Sequence, residues 1–298
     1  MSLLNQCIKI ILLLSAALLS TSAQTRFSGL REQLNARTAS TSGRIGVAVI
    51  DLQTGDTLSV RGAERFPMQS VFKFHVALAM LKQVDRGKFS LSSSVPVLPG
   101  EIRGGTWSPL REKYTASVTA IPLDEMLRAT VAQSDNNGCD ILFRLLGGPA
   151  AVDSIVRSFG VPGIAIVGTE MDMSRDSMLQ YRNFSTPFAM ARLLQRWVKD
   201  SILSSKSTAY LWDVMTRTST GPKRLKGKLP KGTVLAHKTG SSGENAAGIA
   251  AATNDSGILV LPDGRRVAVA VFVSDSPASE TEREGVIADV AKIVWESY

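Results

Sequence analysis

Apolar and polar residues alternate from Arg44 to Ile50, a stretch rich in β-branched side chains, and the alternation returns from Thr57 to Val60 after a Thr54-Gly55 turn. Period-two alternation on both sides of a turn predicts a β-hairpin. Gly257 to Leu261 and Val267 to Val273 flank Pro262-Asp263-Gly264 in the same manner and predict another hairpin near the other end of the chain. Between these ends the apolar spacing changes to three and four residues. Ser70 to Asp85, Leu123 to Val131, Asn136 to Leu146, Ala150 to Phe159, Thr186 to Asp200 and Ser207 to Thr216 read as helices, and so does Glu280 to Tyr298. Strands at both ends around a helical middle predict an α+β fold, in which the two ends pair in one antiparallel sheet and the middle forms an all-helical lobe. On this pattern residues 24–64 and 217–298 make a discontinuous α/β lobe and residues 65–216 an all-α lobe. A crevice between such lobes is the expected place for a site.

The first residues carry a different signal. Lys9 precedes an apolar run from Ile10 to Leu19, broken only by Ser15, and Thr21-Ser22-Ala23 offers small residues for cleavage before Gln24. This predicts a signal peptide over residues 1–23 and a secreted, periplasmic mature protein. The run falls short of the ~20 residues of a membrane-spanning helix. Cys7 follows no cleavage-type site and is not read as lipidated. Cleavage leaves Cys139 as the one cysteine, which excludes an internal disulfide. Its helical surroundings, Asp140-Ile141-Leu142-Phe143, predict a buried, small apolar residue and not a nucleophile.

The net charge of +8 is dispersed apart from Lys223, Arg224, Lys226, Lys228 and Lys231. That cluster runs through Gly221, Pro222, Gly227 and Pro230 with no aromatic among them, so it lacks the marks of a nucleic-acid surface. The two histidines and the single mature cysteine make no convincing zinc set. His75 points to a different helix face from Ser70, and His237 alternates to the opposite side of its strand from Lys238. A Ser-His-Asp triad and a metal-dependent hydrolase are both poorly supported.

Three short strings remain to be explained. In Ser70-Val71-Phe72-Lys73 the serine and lysine stand one turn apart on one helix face. Pro67-Met68-Gln69 leads into that helix, where a serine gains free backbone N–H groups and the helix dipole. A serine hydroxyl still needs a base or charge beside it to attack. Ser134-Asp135-Asn136 precedes a helix, and all three residue types cap helices. Lys238-Thr239-Gly240-Ser241 reads as a strand whose glycine lets a ligand approach the backbone. In this order the strings supply the groups for acyl transfer without a histidine.

The motif set resembles that of the class A serine β-lactamases. His237-Lys238-Thr239-Gly240-Ser241-Ser242, Ala252-Thr253-Asn254-Asp255 and Leu261-Pro262-Asp263-Gly264-Arg265 are most similar to the PER, VEB and CfxA extended-spectrum branch. The resemblance runs from Phe27 to Tyr298. It implies the serine β-lactamase/DD-peptidase-like fold, hydrolysis of the β-lactam amide of penicillins and cephalosporins, no cofactor or metal, and a monomer whose partner is its small-molecule substrate. Ser70 would be the nucleophile, Lys73 and Ser134 would move protons, and Glu170 would drive deacylation. Asn136, Lys238, Thr239, Ser241 and Arg224 would hold the substrate, with Trp107 as an aromatic wall. In Gly168-Thr169-Glu170-Met171-Asp172-Met173 the chain departs from the family pattern: Gly168 stands where an arginine is common, and Ser174 where an asparagine is common. Asp172 and Asp176 are competing carboxylates. A D-alanyl-D-alanine peptidase shares the first three motifs, and a β-lactam sensor acylated only once needs no Glu170.

Overall fold

The computed structural model of the protein describes residues 29–115 and 117–298. The segment read as a signal peptide, and Cys7 within it, lie outside the described residues. Helix α1 (29–39) opens the chain. It is followed by β1 (Arg44–Asp51), β2 (Thr57–Val60), β3 (Phe66–Pro67), a 3-10 turn (Gln69–Val71) and α2 (Phe72–Asp85). Next come β4 (Ser94–Pro96), α3 (Pro109–Lys113), β5 (Ala120–Pro122), α4 (Leu123–Ala132), α5 (Asn136–Leu146), α6 (Pro149–Arg157) and β6 (Ile164–Ala165). Then α7 (Glu170–Arg175), β7 (Phe184–Ser185), α8 (Pro187–Lys199) and α9 (Ser205–Thr216) complete the helical middle. Strands β8 (Leu235–Ser241), β9 (Thr253–Val260) and β10 (Arg266–Ser274) precede the closing helix α10 (Glu280–Glu296).

The two ends of the chain meet in one antiparallel sheet ordered β2-β1-β10-β9-β8. Strand β1 pairs with β10 from Arg44↔Ser274 to Asp51↔Val267. Its alternation sorts side chains to two faces, as a pleated strand must. Val47, Val49, Val269 and Val271 turn to a core shared with Leu30 and Leu34 of α1 and Val286, Val290 and Val294 of α10. Ala48, Ile50, Ala268, Ala270 and Phe272 turn to the opposite face and join the core of the helical region. Helix α8 packs on β1 and β10 from that side, although its sequence lies in the helical middle. Gly46 permits this contact, because a Cβ there would stand 2.5 Å from the Phe66 ring and 2.6 Å from Pro187.

Helix α2 is apolar on every side, and all its residues from Phe72 to Leu81 are buried. A helix without a polar face belongs at the centre of a core. Phe74 meets Trp197 edge-on at 5.4 Å, and Phe72 stacks on Phe143 at 5.6 Å. Burial of such a ring contributes about 1.5–3 kcal/mol. Because the helix begins at Phe72, Lys73 starts out inside the core with its ammonium aimed at the crevice.

Several elements differ from the sequence-based expectation. The helix expected from Ser70 begins as a 3-10 turn, with Gln69 in the left-handed region at φ 45°. Helix α1 has no counterpart among the expected elements. The Glu170 stretch, expected as loop, folds into α7 under a capping box between Thr169 and Asp172.

Candidate active site

Ser70 lies on the 3-10 turn and Lys73 one turn later. Lys73 Nζ donates to Ser70 Oγ at 2.8 Å, to the Ser134 carbonyl at 2.9 Å and to Asn136 Oδ1 at 2.5 Å. It also stands 2.7 Å from Glu170 Oε1. An ammonium has three protons, so these acceptors and Ser134 Oγ at 3.4 Å share them, and one contact can strengthen as another weakens. Ser70 Oγ donates to Glu170 Oε1 at 3.3 Å. Lys73 is fully buried and the Glu170 side chain 9% exposed, so the pair is held in a weakly screened medium.

Ser134 occupies a left-handed conformation, φ 62°, immediately before α5. Asp135, not Ser134, caps that helix: its carboxylate accepts the Gly138 N–H, the Leu110 N–H and the Ser108 hydroxyl. The cap fixes the turn and leaves the Ser134 hydroxyl free to accept from Lys238 Nζ at 3.0 Å and Lys73 Nζ at 3.4 Å. Lys238 is wholly buried, and burial, with Lys73 adding repulsion, pushes its pKa well below the ordinary lysine range; Asp255 and Glu170 oppose that shift. Asn136 Nδ2 donates to Thr106 Oγ1 at 2.7 Å, which fixes the amide so that its oxygen faces Lys73.

Strand β8 brings Lys238, Thr239 and Ser241 against the 3-10 turn that carries Ser70. A Cβ on Gly240 would lie 2.5 Å from the Met68 carbonyl oxygen and 3.1 Å from the Ser70 nitrogen. Only glycine allows so close an approach. Thr239 Oγ1 hydrogen-bonds Thr220 Oγ1 at 2.5 Å. Behind the strand His237 Nδ1 meets both oxygens of buried Asp255, at 2.9 and 3.0 Å, so His237 faces away from the reacting groups. Arg224 is not a solvated member of a basic run. It is buried, donates to Ser241 Oγ at 2.6 Å and to the carbonyls of Gly240 and Asn254, and pairs with Glu284. It acts on the crevice through Ser241 and not with a free guanidinium.

Glu170 opens α7. Its N–H and that of Met171 donate to the Asp140 carboxylate at 2.9 and 3.1 Å, and Arg103 clamps the same carboxylate at 2.7 Å. Burial raises the Asp140 pKa above the ordinary carboxylate value against the opposing pull of Arg103. Buried Asn183 laces the start of the loop by accepting from Val167 and Gly168 N–H and donating to the Gly168 carbonyl. A Cβ at Gly168 would stand 2.5 Å from a Leu179 methyl, which would have to shift to admit the arginine common there. Ser174 lines the cavity and turns its hydroxyl back to the Met171 carbonyl. Asp172 and Asp176 cap α7 and the following 3-10 turn, which occupies their carboxylates.

These groups line a cavity of about 500 Å³ that includes Ser70, Ser134, Asn136, Glu170, Thr239 and Ser241. Trp107 stands at its mouth, 59% exposed, with its indole N–H on the Gln133 carbonyl; it is not a core residue. Cys139 and His75 are buried: burial raises the Cys139 pKa and lowers that of His75 to about 4, leaving both neutral. Among the described residues no group of three His, Cys, Asp or Glu side chains could hold a metal ion. Sequence reasoning missed Asp140, Asn183, Thr106 and Thr220. Asp140 left one signal, being one helical turn from Asn136 on the same face of α5.

A serine flanked by two buried lysines and a glutamate, in the crevice of an antiparallel sheet and a helical region, matches the serine acyl-transfer enzymes that work without histidine. The chain belongs to the β-lactamase enzyme family, class A, whose family model matches residues 29–298. It is 42% identical to the extended-spectrum β-lactamase PER-1 of Pseudomonas aeruginosa over 96% of this chain and 92% of that protein. Identity to β-lactamase VEB-1 of Pseudomonas aeruginosa is also 42%, over 86% of each chain. The crystal structure of a β-lactamase from Chitinophaga pinensis DSM 2588 superposes with a TM-score of 0.88 at 46% identity, covering 90% of this chain and 99% of that one.

Proposed function

We infer that the site hydrolyses the β-lactam amide of penicillins and cephalosporins through an ester on Ser70, an activity that confers antibiotic resistance. Ser70 Oγ attacks the lactam carbonyl and yields its proton to the Lys73–Glu170 pair. The C–N bond breaks, and the nitrogen takes a proton from Ser134, which Lys73 resupplies. Water then attacks the ester and gives its proton to Glu170; the bond from the acyl carbon to Ser70 Oγ breaks, and Glu170 passes the proton to Ser70 Oγ, which departs as the free hydroxyl. Thr239 and Ser241 receive the substrate carboxylate, with Lys238 and Arg224 supplying positive charge behind them. Asn136 binds the side-chain amide and Trp107 bounds the cleft. The backbone N–H groups of Ser70 and Ser241 serve as the oxyanion hole, each such donor contributing roughly 10²–10³ in rate.

One observation carries the hydrolytic reading: the Glu170 carboxylate is 3.3 Å from Ser70 Oγ. A base so close to the ester oxygen can activate water. A D-alanyl-D-alanine peptidase or a sensor acylated only once does not require it. The signal-like N-terminus supports a periplasmic enzyme, acting as a monomer without metal. The likeness to extended-spectrum relatives supports cephalosporins as good substrates.

Glu170→Gln tests the reading. Mass spectrometry of the variant with a cephalosporin should show a covalent adduct accumulating on the Ser70 peptide, while wild type turns over many substrates per chain. Wild-type turnover by Glu170→Gln would transfer the base role elsewhere, and a single burst from the native enzyme would point to a sensor.

A further inference from the structure

Near residues 201–205, helices α8 and α9 with Val260 and Arg266 of the sheet border a second, open cavity of about 560 Å³ that shares no lining residue with the active site. Trp212 forms its accessible wall, and Trp197, 1% exposed, packs behind it. Trp197 and Trp212 lie with ring centroids 6.0 Å apart and planes inclined by 34°, and Leu203 and Val260 extend the apolar surface. The wall is preformed, because Phe74 of the central helix holds Trp197 edge-on.

Arg266 is the one charged group in the lining, and Ser201, Ser205 and Thr208 add hydroxyls. The Trp197 indole N–H is buried and has no acceptor among the described residues, an uncommon state for a buried donor. Arg266 lines the cavity with its guanidinium 5.5 Å from the centre of the Trp212 ring. It has no carboxylate partner among the described residues. A half-buried indole, held in place by the buried Trp197 behind it, suits a flat ring packed offset or edge-on. A guanidinium beside it, fixed over its ring and free of an acid, suits a carboxylate. We propose that this cavity binds a small aromatic carboxylate, with its ring against Trp212 and its acid group on Arg266.

Isothermal titration calorimetry of the mature enzyme with 2-naphthoate tests the assignment, with uncharged 2-naphthamide as the paired probe. One saturable site is expected in the millimolar range or tighter. The amide should bind about tenfold more weakly, and Arg266→Gln should weaken the acid by about the same factor. Trp212→Leu should abolish the heat. Both side chains reach solvent, and retained hydrolysis of a chromogenic cephalosporin by each variant will show that it is folded. Thr239→Val, altered in the active site, should bind the acid like wild type. The proposal fails if no saturable heat appears up to the solubility limit, if Arg266→Gln binds the acid undiminished, or if Thr239→Val loses it.

Discussion

Replacing Asp140 by asparagine should convert this enzyme into one that acylates and then stalls. The carboxylate receives three donors, the N–H groups of Glu170 and Met171 and the Arg103 guanidinium, at 2.9, 3.1 and 2.7 Å. Hydrogen bonds to a charged group contribute about 1.5–3 kcal/mol each. Asparagine keeps the shape and one acceptor oxygen but sets an NH₂ donor against a backbone N–H or the guanidinium. One contact is lost and another becomes repulsive, withdrawing about 3 kcal/mol from the hold on the start of α7. Asn183 and the Thr169–Asp172 capping box remain, so the loop shifts without unfolding. A shift of about 1 Å at a reacting group costs about 10²-fold in rate. That is the expected fall in kcat, with most of it in deacylation. Stopped-flow hydrolysis of a chromogenic cephalosporin should therefore show a burst of one equivalent, then a slow steady state. The same carboxylate gives an internal check. Its raised pKa means that, as pH falls, it takes up a proton at a higher pH than the ordinary 3.8. Wild type should thus lose deacylation on the acid side within that range, and Asp140→Asn should lack this limb. Steady turnover by the variant within about threefold of wild type, with no burst, would refute the reasoning.

Other outcomes follow from the same geometry. Lys238 has a depressed pKa, so its ammonium is lost, as pH rises, below the pH at which a free lysine deprotonates. KM should therefore climb on the alkaline side, and Asp255→Asn, which removes an opposing negative charge, should move that limb to still lower pH; an unmoved limb in pH–KM profiles would disprove the coupling. Gly240→Ala places a methyl 2.5 Å from the Met68 carbonyl and 3.1 Å from the Ser70 nitrogen. Acylation should fall by about 10² or more as the strand and nucleophile turn separate, which a single-turnover measurement will read. Cys139 is buried with a raised pKa, so peptide mapping after iodoacetamide should find it unmodified in the native enzyme and fully modified in denaturant.

The sequence made much of this arrangement legible where the information is local. Asn136–Leu146 is a helix over the residues its spacing indicated, because Asp135 caps one end and Gly147, at φ 92°, closes the other. The β1–β2 strands follow their alternation because a one-residue slip would turn Val47 and Val49 out of the core. What stayed hidden depends on distant partners. Asp140 reads as an ordinary polar position on an amphipathic helix, and nothing near it announces that Glu170 will return to lie on it. Arg224 reads as part of a basic run, yet Ser241, Asn254 and Glu284 draw it inside. The six-residue α7 is too short for periodicity to reveal and exists because Thr169 and Asp172 cap each other's backbone.

The pairing of Arg44 with Ser274 has a kinetic consequence. A strand formed early in synthesis must wait for one formed near the end, with the whole helical middle between them. Its loop-closure entropy is lost before those contacts give anything back. Until β10 emerges, β1 has only the short β2 beside it, and its other edge stays unpaired and apolar. The nascent chain is thus slow to commit and exposed to edge-to-edge association during that interval. Ending the chain before β10 should remove folding altogether instead of trimming stability, because β8 and β9 are joined to β1 only through β10.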